Sequence, residues 1–461
     1  MAGIKFGTDG WRAVVGKDFN KENVTLVTNA IAKYVFDNFG LHKKIIVGYD
    51  PRNMAGIFSK LCADILVQKG FTVYYSYKIV PTPVLAYNAK LLNACAIMFT
   101  ASHNPPEYLG IKFIPDYAGP ATSDITDEIV GNLGKTIYDS FNGTFEYYDF
   151  LIDYSKHINK IIDFDKIKTS GKEFLYDGLY SATIGYFDKI LKDNGIKFKS
   201  IRTNHDPNFG GEMPEPKPQY MKQAIETVKN GYNMLAFAND GDGDRFGVID
   251  EKGNYVSPNE IIAILLLHLT KNKGLSGSLV KTVGASTLLD IVAEKTGVEL
   301  IETAVGFKYV GEAMRKYNPV IAGEDSGGLS IQGHIPEKDG ILANLLILEA
   351  LAYEKKSLVE LEEDLHKFAG KNFVNDRIDV KLEDRNQVDE KLKLAEKLET
   401  LGSLKVERIN KLDGIKLYFN DGSWILVRPS GTEPLLRIYI ESDSIEKLNE
   451  IKENVKNAGI A

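Results

Sequence analysis

The feature that most restricts this chain is a regular alternation of helix-period and strand-period segments through its first hundred residues. Asn20 to Phe39 carries Val24, Val27, Ile31, Ala32 and Val35 near a 3.6-residue period and stops at Gly40, which predicts a helix. Lys44 to Tyr49 is a short β-branched run ended by Asp50-Pro51. Ile57, Leu61, Ile65 and Leu66 line one face of a second helix that Gly70 closes. Strand Phe71 to Tyr75, a helix after Pro81-Thr82-Pro83 and strand Ala94 to Phe99 follow. Such a βαβα rhythm predicts an α/β layer architecture with a largely parallel sheet.

The pattern continues with changes of texture. Phe141 to Phe164 is aromatic and polar without a clean period and reads as an inter-domain crossing. A second α/β unit runs to about Asp250, with Leu235 to Asn239 as its last clear strand. A third has strands near Leu279–Val283, Val298–Ile301 and Val320–Ala322, then a long helix from Asp339 to Glu354. After Gly370 the pattern becomes strand-rich: Arg377–Leu382, Leu404–Ile409, Ile415–Phe419, Trp424–Val427 and Leu436–Glu441. This last block is expected to be a small α+β domain with an antiparallel sheet. The expected domains are 1–145, 146–252, 253–369 and 370–461. Three α/β units of similar length hint at a triplicated domain.

Composition narrows the functional classes. With 461 residues, 56 Lys+Arg and 63 Asp+Glu, the net charge is −7, so no basic excess exists to neutralise a phosphate polymer, and nucleic acid is not an expected partner. The longest apolar run, Ile261 to Leu269, is interrupted by His268 and is too short to span a bilayer. No secretory leader is visible, and two cysteines, Cys62 and Cys95, are too few for a disulfide framework. A cytoplasmic enzyme is expected.

Chemistry concentrates in loops that follow strands. Thr100-Ala101-Ser102-His103-Asn104-Pro105-Pro106 leaves a buried-looking strand where open α/β sheets place their ligand crevice. The prolines prevent a helix from starting, and Ser102 beside His103 is a candidate nucleophile or phosphate carrier; the bland alternative is a polar turn. Asn239-Asp240-Gly241-Asp242-Gly243-Asp244-Arg245 sets three carboxylates at alternate positions, with glycines that let the backbone aim them at one hard cation. An EF-hand begins with the same spacing, and Glu251 occupies its twelfth position, but Arg245 stands where that loop needs glycine. Arg428-Pro429-Ser430-Gly431-Thr432-Glu433-Pro434, followed by Arg437, suits a phosphate cradle or an ordinary β-turn equally. Gly323-Glu324-Asp325-Ser326-Gly327-Gly328 suits vicinal sugar hydroxyls. Phe6-Gly7-Thr8-Asp9-Gly10-Trp11-Arg12 carries little by itself.

Together, and in this order, these five stretches resemble the α-D-phosphohexomutase family, which includes phosphoglucomutases and phosphomannomutases, over the whole chain. The resemblance implies four domains around a central cleft: three of mixed α/β topology and a smaller TATA-binding-protein-like α+β domain. It implies that Ser102 is carried phosphorylated, gives its phosphoryl group to a hexose phosphate and recovers one from the bound 1,6-bisphosphate. Magnesium would be held by Asp240, Asp242, Asp244 and a phosphoserine oxygen. Three Asp and a phosphate dianion sum to about −5, and Mg²⁺ with Arg12, Lys112 and Arg245 returns about +5. Lys112 and His103 are the candidates for proton transfer.

By the same resemblance Glu324 and Ser326 grip sugar hydroxyls, and Gly306 and Lys308 line the cleft. Arg428, Ser430, Gly431, Thr432 and Arg437 clamp the distal phosphate, and the last domain is expected to close over substrate. Phosphoglucosamine mutases usually show D-G-D-A-D-R and G-E-x-S-G-H where this chain has Gly243 and Gly328. That favours glucose or mannose phosphate over the amino sugar. A metal-dependent sugar phosphatase is the rival of a different class. The expected partners are small sugar phosphates, and the expected assembly is a monomer or homodimer.

Overall fold

The computed structural model describes residues 4–7, 10–231, 234–430 and 435–461. Its first three sheets repeat one design. In the first, strands Lys44–Tyr49, Thr72–Ser76 and Ala94–Phe99 are parallel, and Tyr108–Ile114 returns antiparallel beside the third. In the second the same places are taken by Phe174–Asp177, Lys199–Ile201, Leu235–Asn239 and the returning Phe246–Ile249. In the third they are taken by Ser278–Thr282, Glu299–Thr303, Ile321–Gly323 and Leu329–Ile331. Each time the spatial order is second, first, third, fourth. The hint of triplication therefore has a topological basis, and each sheet is mixed because its third strand turns back as a hairpin. The first sheet also carries edge strands Trp11–Val14 and Thr144–Tyr148.

The helices start and stop for local reasons. Asn20 caps helix Lys21–Phe39 by accepting from the Asn23 N–H at 3.0 Å, and Gly40 ends it at φ 76°. Helix Gly340–Glu354 begins at Asp339, whose carboxylate accepts from Leu342 N at 2.9 Å. Every residue from Gly340 to Ala352 is buried, as expected of a helix apolar on all sides. Its side chains join a continuous core that draws on all three α/β units. The last unit is different. Its sheet is wholly antiparallel, covered by helices Arg385–Glu396 and Ile445–Asn457, and its core contains only its own residues. A small cluster of Val283, Trp424, Leu426 and Tyr439 joins it to the third unit.

Two expectations are corrected. Phe141–Phe164 is not an irregular crossing: Thr144–Tyr148 extends the first sheet, and Phe150–Ile161 is a helix burying Phe150, Leu151, Tyr154 and Ile158. The aromatic strand before the helix makes the whole stretch read as one irregular crossing. Leu235–Asn239 is not the last strand of its unit, because Phe246–Ile249 and Tyr255–Val256 follow. These are only a few residues long, and Gly247 weakens the strand signal of the first.

Candidate active site

All three hairpins turn on the loops singled out for chemistry. In the first, Ser102 is buried with φ 51°, a left-handed conformation uncommon for a residue with a side chain. Its hydroxyl donates to Asp240 Oδ2 at 2.7 Å and lies 3.3 Å from His103 Nδ1. Burial, then Arg245 and Arg12, push the His103 pKa well below its usual value. Arg12 donates to Asn104 Oδ1 at 2.6 Å in the same loop.

The second hairpin brings Asp240, Asp242 and Asp244 together, with carboxylate oxygens within 4.8 Å of one another and no side chain more than 1% exposed. Asp240 Oδ1 accepts from the Arg245 N–H at 3.0 Å. Asp242 is tied to the first unit: Thr82 Oγ1 donates to its Oδ2 at 2.6 Å, and Thr82 N donates to its carbonyl at 2.8 Å. Asp242 Oδ1 is buried and accepts no hydrogen bond among the described residues. Burial, then the neighbouring carboxylates, raise the pKa of Asp240 and Asp242. Three hard oxygen donors that repel one another, one with a free lone-pair direction, fit a divalent cation. The EF-hand alternative falls, since strands flank the loop and the Glu251 carboxylate accepts instead from Leu358 N at 3.0 Å.

Cations surround the triad. Lys112 Nζ is 3.6 Å from Asp244 Oδ2 and 3.1 Å from Glu337 Oε2. Arg245 lies 4.0 Å from Asp244 and 3.7 Å from Glu215. Burial works against the Arg245 guanidinium, but Asp240, Asp244 and Glu215 more than offset it and hold its pKa above the ordinary value.

In the third hairpin Ser326 Oγ donates weakly to Glu324 Oε2 at 3.4 Å, and the Glu324 charge acts on Arg245. Gly306 has φ 128° at the start of helix Phe307–Tyr317. Lys308 leaves this group: its ammonium donates to Ser123 Oγ in the first unit at 2.9 Å. On the last unit Arg428 Nε donates to Asp413 Oδ2 at 2.6 Å, and Asp413 also accepts from Val305 N at 2.9 Å, so Arg428 is held beside the segment leading to Gly306. Arg437 faces Arg428 in register on the neighbouring strand, and Ser430 is buried with its carbonyl accepting from Arg385 at 2.7 Å. Gly431 and Thr432 lie outside the described residues.

Sequence reasoning missed Thr82, Glu337 and Lys338. Lys338 Nζ lies 3.0 Å from Asp244 Oδ2. A Cβ at Gly328 would meet the Lys338 side chain at 2.3 Å, so lysine fills the room that a side chain at 328 would need. Glu337 and Lys338 add one charge of each sign, leaving the balance near neutral. Their signal was hidden because Glu337-Lys338-Asp339-Gly340 reads as the polar start of a long helix.

Four domain models match: phosphoglucomutase/phosphomannomutase alpha/beta/alpha domain I at residues 3–138, domain II at 152–253, domain III at 257–368 and the C-terminal domain at 378–458. A phosphoglucomutase/phosphomannomutase of Thermococcus kodakarensis is 30% identical over 98% of this chain and 97% of the relative. A phosphoglucosamine mutase of Methanocaldococcus jannaschii is also 30% identical, with the same coverage. A solved structure from Thermus thermophilus, provisionally assigned as a phosphomannomutase, aligns with a TM-score of 0.89 at 29% identity over 99% of each chain. Fold, loop chemistry and kinship converge: this chain belongs to the phosphoglucomutase/phosphomannomutase family, within the α-D-phosphohexomutases, and is a mutase of the isomerase class.

Proposed function

We propose that the chain interconverts hexose 1-phosphate and hexose 6-phosphate, with glucose and/or mannose as the sugar, through a phosphoserine at Ser102 and a bound 1,6-bisphosphate. The observation that carries this reading is the Ser102 hydroxyl set 2.7 Å from Asp240 inside a buried three-carboxylate cluster. Asp240, Asp242, Asp244 and a phosphoserine oxygen would hold Mg²⁺, which when bound neutralises charge on the phosphoryl group. In the first half-reaction the Ser102 Oγ–P bond breaks as a sugar oxygen–P bond forms. The proton of the attacking hydroxyl leaves toward His103 or Lys112, which flank the serine and the triad. The freed Ser102 oxygen takes up a proton; the bisphosphate then turns, Ser102 Oγ loses that proton as it attacks the other phosphorus, and the leaving sugar oxygen regains a proton through His103 or Lys112. Arg12 and Arg245 stabilise the transferring charge.

Glu324 and Ser326 are assigned to the sugar hydroxyls and Gly306 to the cleft wall; Lys308 would have to leave Ser123 to join them. Arg428, Ser430, Gly431, Thr432 and Arg437 are assigned to the non-reacting phosphate. A separate core in the last unit, joined to the third by one small apolar cluster and a set of hydrogen bonds such as Lys416 to Val283 O and Val305 N to Asp413, supports its closing over the cleft as a body. Gly243 and Gly328, standing where phosphoglucosamine mutases usually have alanine and histidine, support a glucose or mannose substrate over glucosamine.

A coupled assay with glucose 1-phosphate, mannose 1-phosphate and glucosamine 1-phosphate, each with its bisphosphate and Mg²⁺, tests the assignment. The expected result is kcat/KM at least about 10-fold higher for glucose or mannose than for glucosamine. The reverse order would make the chain a phosphoglucosamine mutase, and release of inorganic phosphate alone would make it a phosphatase.

A further inference from the structure

Arg52 has no part in the chemistry above, yet its side chain is wholly withdrawn from solvent. A buried guanidinium is costly unless its five N–H groups find acceptors. Here each one does. Nε donates to Asp50 Oδ2 at 3.1 Å, Nη1 to the carbonyls of Pro105 at 2.8 Å and Tyr108 at 3.1 Å, and Nη2 to the carbonyls of Ser102 at 2.6 Å and Asn104 at 2.7 Å. Four of the five acceptors are thus backbone oxygens of the loop that carries the reactive serine.

The fifth acceptor extends the grip to the other side of the same residue. Asp50 Oδ2 accepts from Thr100 Oγ1 at 2.6 Å, and Thr100 Oγ1 accepts from the Ser102 N–H at 2.8 Å. Ser102 is therefore held at its N–H and its C=O, both by bonds that lead back to Arg52, in a backbone conformation that few residues with a side chain adopt unaided. The guanidinium also lies 5.0 Å from the Phe209 ring of the second unit. Five residues further along that segment, Pro214 O accepts from Gly241 N at 3.0 Å, at the carboxylate loop itself. One segment of the second unit therefore braces both the serine loop and the carboxylate loop.

We propose that Arg52 is a positioning residue for Ser102, holding the loop from Ser102 to Tyr108 so that the serine oxygen meets the carboxylate triad. This rests on Ser102 being the phosphoryl carrier. Lysine keeps the charge but presents one nitrogen and no planar fork, so it cannot serve all five acceptors.

The test uses the full chain with Arg52→Lys and Arg52→Ala. For Arg52→Lys, kcat is expected to fall about 100-fold, the scale of a misplacement near 1 Å, while KM for the hexose phosphate stays within about 2-fold. Amide exchange is expected to rise in peptides covering residues 100–108 and to be unchanged in the hairpin 235–249. Added methylguanidinium is expected to restore part of the kcat of Arg52→Ala. Unchanged kcat overturns the proposal, as does a rise in KM with kcat retained, or a loss of protection spread over the whole first unit. Should Arg52→Ala not fold, Thr100→Val cuts the Asp50–Thr100–Ser102 link and is read by the same kcat, KM and exchange measurements. If the unmodified chain transfers no phosphoryl group to Ser102, the functional reading fails and exchange alone decides on Arg52. Loosening confined to 100–108 then supports the positioning role, and no change there refutes it.

Discussion

Replacing Gly241 with alanine probes the contact on which the serine and the carboxylates depend. A Cβ at this position would lie 2.6 Å from the Ser102 carbonyl oxygen and 3.0 Å from Pro214 Cγ. Ordinary contact begins near 3.4 Å, so the two loops must separate by about 0.8 Å. The Ser102 carbonyl is pinned by Arg52 and Gly241 N is pinned by Pro214, so neither side yields freely. Overpacking of this kind costs about 1–3 kcal/mol of stability. The larger effect is expected on chemistry: a displacement approaching 1 Å between serine oxygen and Asp240 should lower kcat about 30- to 100-fold. KM should change little, because the Arg428 region lies on another unit. Steady-state turnover of glucose 1-phosphate with saturating bisphosphate and Mg²⁺, beside a thermal melt, measures both. A variant with kcat within about 2-fold of the parent and an unchanged melt would refute the close packing of the loops.

Thr82→Val removes the hydroxyl that donates to Asp242 and should weaken Mg²⁺ activation about 10- to 100-fold, read as a shift in the metal concentration for half-maximal rate; an unshifted titration counts against it. Arg428→Ala should raise KM for hexose phosphate about 10-fold or more while Ser102 still takes up phosphate, and an unchanged KM would remove Arg428 from the clamp. Lys416, buried against Trp424 and facing Lys281, has its pKa lowered to about 7, mainly by burial. Between that value and the unfolded value near 10.4, the unfolded chain binds the extra proton, so stability rises with pH across this window and is lost as pH falls toward 7. Lys416→Met should flatten this part of the urea-midpoint profile; identical slopes in parent and variant would contradict the assignment.

Much of this was legible in the sequence because strands and reactive loops are local. Ala94–Phe99 is buried on both faces and announces itself by composition, and the Asp240–Asp244 spacing states its chemistry without neighbours. Contacts made across the fold were not legible. Thr82 reads as the start of a helix between two prolines, yet its hydroxyl serves a carboxylate 160 positions away. Arg52 follows Asp50-Pro51 and reads as a turn residue until the third strand of its sheet places the serine loop against it. Lys338 is hidden because it precedes the Asp339 cap of a long helix, and its inward course follows the room left at Gly328 and the pull of Asp244. Phe150, Leu151, Tyr154 and Ile158 do fall on one helical face, but the aromatic strand Thr144–Tyr148 before them makes the whole stretch read as one irregular crossing.

In the proposed reaction Ser102 carries a phosphoryl group between the two ends of one sugar. Incubating the chain with Mg²⁺ and hexose 1,6-bisphosphate labelled in its phosphates, then mapping the label by peptide, tests this most directly. The expected result is label on Ser102 alone, removed by unlabelled hexose 6-phosphate and recovered in bisphosphate. Label that never reaches Ser102, or that leaves only as inorganic phosphate, would contradict it.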